Sequence, residues 1–395
     1  MNNSSKKIKY AALCFNTENI GDEIQSLAAQ RFLPRIDYYV DRDHLDDLPQ
    51  KKDEEIKLIL NSWFLSPSQK DGSIHWPPKS APLNPLLISM HTSFLNGSTK
   101  TFSSPTSRSF LNKFAPVGAR DLATQSFFQS IGVPSFFSGC LTLTLLPDPS
   151  IKKQDYILAV DISDTLFCEI KKRTNRRIIR LDTTHPLDID TQTRFKLAKY
   201  WLYLYQSAHC VVSSRLHAML PCLSLKTPVI GVSGRDVERF SGLIDLVNHY
   251  SEKEILQNKR ISFDNPPDNP KSFEKIRKKL IVECKKYTNY DSKQSFLLGT
   301  DIVDLLSDED LISLFTKSIN DNYSYGLELK NQLEQYEQNY KNFRLEVEKH
   351  IQKEQNLEQE LKECKTLLEN PGIKTSVKNL KKALKNYAKK MTSRN

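Results

Sequence analysis

Between Lys9 and Ser233, short apolar runs alternate with longer stretches of helical spacing, and this alternation constrains the fold more than any other feature. KYAALCF, IKLILNSWF, PLLISMH, KFAPVGA and the run around SGCLTLTL read as strands. DEIQSLAAQRFL and DLATQSFFQSIG read as helices, with Asp121 placed to cap the second and Gly132 near its end. Strands separated by helices imply a mostly parallel sheet, because a parallel neighbour is reached only by a crossover. The prolines and mixed charge of LPDPSIKKQD mark a link, and a second set follows it. There DYILAVDIS, RRIIRLDTTH, HCVVSS and TPVIGVS read as strands, RFKLAKYWLYLYQSA and RLHAMLPCLSL as helices. The expected fold class is α/β, with Rossmann-like domains at 1–147 and 154–310 facing across a cleft, where ligands of such folds bind. Neither GxGxxG nor GxxxxGK[ST] occurs, which argues against a standard dinucleotide or P-loop site.

From Leu329 the period changes. Leu329, Leu333, Tyr336, Tyr340, Phe343, Val347, His350, Glu354, Leu357, Leu361, Cys364 and Leu368 keep a strict 4-3 spacing. That seam predicts a coiled coil over 325–369 that joins copies of the chain; one long helix laid on the body is the plainer alternative. After Asn370-Pro371-Gly372, residues 371–395 carry Ile373, Val377, Leu380, Leu384, Tyr387 and Met391 at helical spacing. The same stretch holds eight basic residues and no acid, so of the net charge of +10 only +2 belongs to residues 1–370. A basic amphipathic tail of this kind suits an anionic membrane surface, a disordered tail being the alternative. Nucleic acid is the weaker partner, since the tail offers one aromatic side chain for stacking. No apolar run approaches the roughly 20 residues of a membrane span. The short apolar run near the start reads as a strand and not a secretion signal, so a cytoplasmic protein is expected, held at the inner membrane face by its tail. The 7 cysteines show neither CxxC nor zinc spacing and are expected to be reduced and metal-free.

The stretch HCVVSSRLHAMLPCLSLKTPVIGVS, residues 209–233, sets a guanidinium and an imidazole where strand gives way to helix. Ser214 is the expected N-cap, which makes Arg215 and His217 first-turn residues, where open backbone N–H groups already favour an anion. Residues two apart do not share a helix face, yet at an open helix end both reach forward. Pro221 removes the usual partner of the His217 carbonyl, so distorted backbone is expected there. An arginine grips phosphate or carboxylate through its fork. A histidine beside it is held deprotonated by the arginine and gains a proton once an anion binds, which suits a general acid. The spacing alone fits a structural role equally well.

Other segments bear on that choice. SSRLHAMLPCLSLKTPVIGVS, the entry NIGDEIQSLAAQRFLP at residues 19–34, and VGARDLATQSFFQSIGVPSFFSGCLTLTL occur in this order. Together with LNSWF, WPP and PLLISMH, they resemble the polysaccharide pyruvyl transferase family over about residues 8 to 250. The resemblance implies a fold like that of the glycosyltransferase-B enzymes. It also implies transfer of a pyruvyl group from phosphoenolpyruvate to a sugar of a capsule or exopolysaccharide precursor, with a ketal formed and phosphate released. In that reading His217 is catalytic, and Arg120, Arg215, Arg239 and Ser214 hold the donor. Asn19, Gly21 and His91 line the acceptor side, with the acceptor expected on the domain at 1–147 and the donor on that at 154–310, and Asp22 or Glu23 is the base. Many members carry a lysine about twenty residues past the histidine; here that position is Val237, and Arg239 or Arg235 replaces it. Phosphoenolpyruvate is then a co-substrate, with no metal or further cofactor, and the acceptor glycan is lipid-linked or nucleotide-linked. The alternatives are a nucleotide-sugar-dependent glycosyltransferase of the same shape and a non-catalytic coiled-coil scaffold.

Overall fold

The computed structural model of the chain describes residues 6–64, 76–79, 82–94, 98–184, 190–234, 237–297 and 308–392. It comprises two units, Met1–Leu314 and Phe315–Asn395.

The first unit begins with β1 (Lys7–Cys14), α1 (Ile20–Gln30), β2 (Tyr38–Asp41), β3 (Glu54–Leu60), β4 (Trp63–Phe64), β5 (Leu83–Leu87) and β6 (His91–Thr92). The helices α2 (Ser98–Ser103) and α3 (Pro105–Lys113) follow, then β7 (Val117–Ala119), α4 (Leu122–Ser130) and β8 (Ser135–Phe137). The first sheet has the order β2-β1-β3-β5, all parallel. The short parallel pairs β4-β6 and β7-β8 extend it, with Met90 N donating to Gly118 O at 3.0 Å and Arg120 N to Met90 O at 2.7 Å.

A second set follows: β9 (Tyr156–Val160), α5 (Asp164–Lys172), β10 (Arg177–Leu181), α6 (Thr191–Ser207), β11 (Cys210–Ser213), α7 (Leu216–Ser224) and β12 (Val229–Ser233). It ends with α8 (Val237–Phe240), β13 (Asn248–Ser251), α9 (Glu252–Gln257) and α10 (Phe273–Thr288). This sheet has the order β10-β9-β11-β12-β13 and is again entirely parallel. Strand alternation sorts its side chains. Ile157 and Ala159 pack with Leu166 and Ile170 of α5, while Tyr156, Leu158 and Val160 pack with Leu216 and Leu220 of α7. Each fully buried aliphatic side chain contributes roughly 1.5–3 kcal/mol.

The two sheets share a core. Ile20, Ile24 and Leu27 of α1 belong to one apolar cluster with Phe195, Leu197 and Leu202 of α6 and Met219, Leu220 and Leu223 of α7. The segment after Phe273, expected within 154–310, returns to the first sheet. The Tyr287 hydroxyl accepts from Leu58 N at 2.8 Å and donates to the Asn84 carbonyl, and Lys57 Nζ donates to Tyr287 O at 2.7 Å. Arg31 closes the same seam on Asp291 at 2.8 Å.

One expected strand is corrected. Leu141–Thr144, from SGCLTLTL, is a 3₁₀ turn. All four residues are wholly buried, so the alternation of leucine and threonine does not sort an inner from an outer face. The threonine hydroxyls are satisfied locally: Thr144 Oγ1 donates to Leu141 O at 2.7 Å, and Thr142 Oγ1 donates to Cys140 Sγ at 3.2 Å.

A helix of 62 residues, Asp308–Glu369, makes up most of the second unit and is followed by one of 22, Pro371–Thr392. The expected breaker is a cap. Asn370 Oδ1 accepts from Gly372 N at 3.0 Å, its carbonyl accepts from Lys374 N at 2.9 Å, and Pro371 takes the first helical position. On the 4-3 seam Tyr340, Phe343, Val347, Leu357 and Leu361 are all exposed, as are Val377, Leu380 and Leu384 of the last helix. Among the described residues no helix is long and apolar enough to cross a membrane.

Candidate active site

Arg215 is the N-cap residue of α7, in extended conformation, and His217 is the second residue of that helix. The expectation that Ser214 caps it is corrected. β11 ends at Ser213, whose hydroxyl accepts from Arg215 N at 2.9 Å, while Ser214 Oγ donates to the Asp161 carbonyl at 2.5 Å. Ser214 thus ties α7 to the loop after β9. The helix runs through Pro221 to Ser224.

His217 is 5% exposed, and its Nε2 is buried with no hydrogen-bond partner. Gly21, at the start of α1, lies directly against it: a Cβ there would sit 2.9 Å from His217 Cβ and Nδ1. Glycine permits this approach of two helix starts. Asn19 secures the arrangement by capping α1, its Oδ1 accepting from Gly21 N at 3.0 Å. The sequence-expected Asn19 and Gly21 are therefore brought to the histidine.

Arg120, directly after β7, is completely buried. Its Nη1 donates to Gln25 Oε1 at 3.4 Å, while Nε and Nη2 have no hydrogen-bond partner. Asp121 stands 3.8 Å from Nε, but its oxygens are engaged elsewhere. Oδ1 caps α4 through Thr124 N at 2.9 Å, and Oδ2 meets His91 Nδ1 at 2.6 Å. His91 is buried and meets the Trp63 ring edge-on at 5.4 Å; the Arg239 guanidinium lies over the same indole at 4.5 Å. His91, expected on the acceptor side, thus joins the cationic cluster.

The electrostatics follow from this packing. Burial holds the His217 imidazole well below its ordinary pKa, and Arg120, Arg239, His91 and Arg215 push it the same way. Burial and Arg120 lower His91 to about 4 against the opposing pull of Asp121. Two neutral imidazoles therefore sit among arginines, an environment that an anion would reverse. Arg215 is the accessible member: its side chain is 41% exposed, and its Nε donates to Asp161 Oδ2 at 2.9 Å.

The two acids expected to act as base are engaged in structural contacts. Asp22 accepts from Thr17 Oγ1 at 2.8 Å and Gln25 Nε2 at 3.1 Å, with Arg42 Nη1 at 3.9 Å. Glu23 is clamped by Arg194 of α6, whose Nε lies 2.6 Å and Nη2 2.5 Å from Oε1. Both carboxylates are buried, and these contacts give the base role no geometric support. Arg235 lies outside the described residues, and Val237 begins α8.

Sequence reasoning passed over Gln25, which touches Arg120 and Asp22 and whose carbonyl accepts from Asn61 Nδ2 at 2.8 Å. It also gave no role to Trp63, although the LNSWF run containing Asn61 and Trp63 was quoted. An Asn-Ser pair inside an apolar strand was the available signal.

Two parallel sheets and a buried basic cluster between helix starts define a mixed α/β protein with one anion-seeking centre. A family profile for polysaccharide pyruvyl transferase matches residues 19–236, and the chain belongs to that family. Among solved structures it is similar to an uncharacterized protein of Klebsiella pneumoniae subsp. pneumoniae, at 14% identity over 60% of this chain and 86% of that one, with a TM-score of 0.36. It is also similar to the UDP-GlcNAc 2-epimerase of Methanocaldococcus jannaschii, at 11% identity over 69% and 99%, with a TM-score of 0.32. A third likeness is to the wall teichoic acid polymerase TagF, at 11% identity over 80% and 89%, with a TM-score of 0.31. No curated protein sequence matches it.

Proposed function

We propose that the protein transfers a pyruvyl group from phosphoenolpyruvate to a sugar of a surface polysaccharide or its precursor, forming a ketal and releasing phosphate. The observation that carries this reading is Arg120: a wholly buried guanidinium with two nitrogens lacking hydrogen-bond partners, whose charge acts on the likewise buried His217. A buried cation of this kind is costly until an anion completes its bonds. Phosphoenolpyruvate brings a phosphate and a carboxylate, and Arg120, Arg215 and Arg239 supply permanent positive charge for both. The start of α7 adds its open N–H groups.

In the free protein His217 is neutral. The bound dianion offsets the arginines, the imidazole takes a proton, and Nε2 delivers it to C3 of the enol. A sugar hydroxyl bonds to C2, the C2–O bond to phosphate breaks, and a second hydroxyl closes the ketal. Of the two hydroxyl protons, one balances the new methyl group and the other leaves with phosphate.

The same reading takes the two sheets as Rossmann-like halves of the glycosyltransferase-B kind, the long helix as a coiled coil joining copies, and the last helix as an anchor on the anionic inner membrane face. Phosphoenolpyruvate alone should raise the thermal midpoint, and Arg215→Ala should abolish the rise. A rise with a nucleotide sugar and none with phosphoenolpyruvate would favour a glycosyltransferase instead. His217→Ala should bind donor yet release no phosphate with acceptor. Deletion of residues 371–395 should end co-sedimentation with phosphatidylglycerol vesicles; continued sedimentation removes the anchor.

A further inference from the structure

A second opening lies at the carboxyl edge of the second sheet, where the loops after β9 and β10 part. It is a cavity of about 430 Å³ lined by Asp161, Ile162, Arg180, Leu181, Asp182 and Arg215. That size falls in the range of roughly 300–1,000 Å³ typical of small-molecule sites. Its position, outside strand ends in a parallel sheet, is where ligands of such sheets bind.

Its electrostatics are the opposite of those around Arg120. Arg215 Nε is paired with Asp161 Oδ2 at 2.9 Å. Arg180 is held by Asp164 Oδ1 at 2.5 Å and donates from Nη2 to Ile162 O at 3.1 Å. The Asp161 carboxyl also accepts from Thr183 Oγ1 at 2.6 Å, and Asp182 Oδ1 accepts from Thr184 N at 2.9 Å. Burial raises the Asp161 carboxyl against the opposing pull of Thr183 and Arg215. Asp161 is held at φ 49°, a left-handed conformation that strains a non-glycine residue and turns its carboxyl into this network.

Charges matched in this way do not call for an ion. They present alternating acceptors and donors beside the aliphatic surface of Ile162 and Leu181, the pattern that suits a neutral polyol. Vicinal hydroxyls donate to the carboxyls and accept from the guanidinium, while the C–H face of a sugar ring lies on the aliphatic side chains. Arg215 connects the two places: it lines this cavity and also adds to the positive field at His217.

We infer that this cavity holds the acceptor sugar by a vicinal diol, with Asp161 and Asp182 accepting from its hydroxyls and Arg215 donating to them. The inference rests on the pyruvyl-transfer reading for the word acceptor, but not for the binding itself. The test is saturation-transfer NMR with the methyl glycosides of galactose, glucose, mannose and N-acetylglucosamine, each with and without phosphoenolpyruvate. At least one glycoside should show transfer, and Asp182→Asn should weaken its binding at least tenfold. Leu181→Trp, which fills the cavity without removing a charge, should do the same. Both variants should keep the thermal shift with phosphoenolpyruvate. No transfer to any glycoside, or transfer unchanged in both variants, overturns the inference. Sugar binding without any phosphoenolpyruvate shift in the unmutated chain leaves the polyol site standing and removes the pyruvyl-transfer reading.

Discussion

The cluster around His217 and the seam of the long helix break opposite halves of one rule. In the first, polar groups are buried with bonds unmade: Arg120 Nε, Arg120 Nη2 and His217 Nε2. Along the second, apolar groups are made available with contacts unmade: Tyr340, Phe343, Leu357 and Leu361 are all more than half exposed. Folding normally pairs what it buries and buries what is apolar. On the proposed reading, an anion completes the first and an apolar surface of another copy completes the second.

The sharpest attack on this contrast replaces Arg120. Arg120→Met removes the charge while keeping most of the volume. Losing one side of a buried charge pair costs about 2–5 kcal/mol, so affinity for phosphoenolpyruvate should fall by about 30-fold or more by calorimetry. The ligand-free protein should melt no lower than before, because exchanging a buried, poorly compensated charge for an apolar group is often neutral or stabilising. A midpoint several degrees lower would make Arg120 a structural residue and remove the contrast.

The matching change on the seam is Leu357→Lys with Leu361→Lys. If the seam joins copies, light scattering should give an oligomer for the unmutated chain and a monomer for the variant. The melting of the α/β unit should stay unchanged. An oligomer that survives both lysines would assign assembly to another surface.

A milder change sharpens the first region alone. In Gly21→Ala the new methyl group meets the His217 ring at 2.9 Å, so helix α1 or the imidazole must shift. Turnover should fall by about tenfold or more, since sub-ångström misplacement of a reacting group is expensive. Donor affinity, set mainly by the arginines, should change much less. Equal loss of both would mean that Gly21 supports the fold and not the position of His217.

How far the sequence anticipated this depended on how completely each element is buried, since strands covered on both faces read as continuous apolar runs. The parallel strands β1, β3, β9, β11 and β12 were legible from their apolar runs, and the α7 start was legible from the pattern change at Arg215. The short strands β2, β8 and β13 have few buried positions and gave no comparable signal. Leu141–Thr144 misled because it is buried as completely as those strands without being one. Within the site, Arg120, Arg215 and His217 were legible as chemistry-bearing types beside helix starts. The fate of Asp22 and Glu23 was not, because it depends on Arg42 and on Arg194, 171 residues away from Glu23. Long-range pairing of this sort leaves no local trace.

The last test reads the same burial through pH. Both His217 and His91 have their folded pKa lowered, His91 to about 4. Below the ordinary value near 6.5 the unfolded chain therefore binds protons that the folded chain refuses. By linkage, stability is full above about 6.5 and declines as pH falls, by up to about 1.4 kcal/mol per pH unit for each histidine. For His91 the decline continues until pH approaches 4, and the lowered acid Asp121 adds its own loss only below the ordinary carboxylate range. Urea unfolding at pH 7 and pH 5.5 should reveal the slope, and His91→Gln should remove its share. Phosphoenolpyruvate should flatten the share due to His217, because a bound dianion lets the folded protein take the proton as well. A slope indifferent to both changes would mean that burial and the arginines do not hold the imidazoles neutral, and the first half of the contrast would fall.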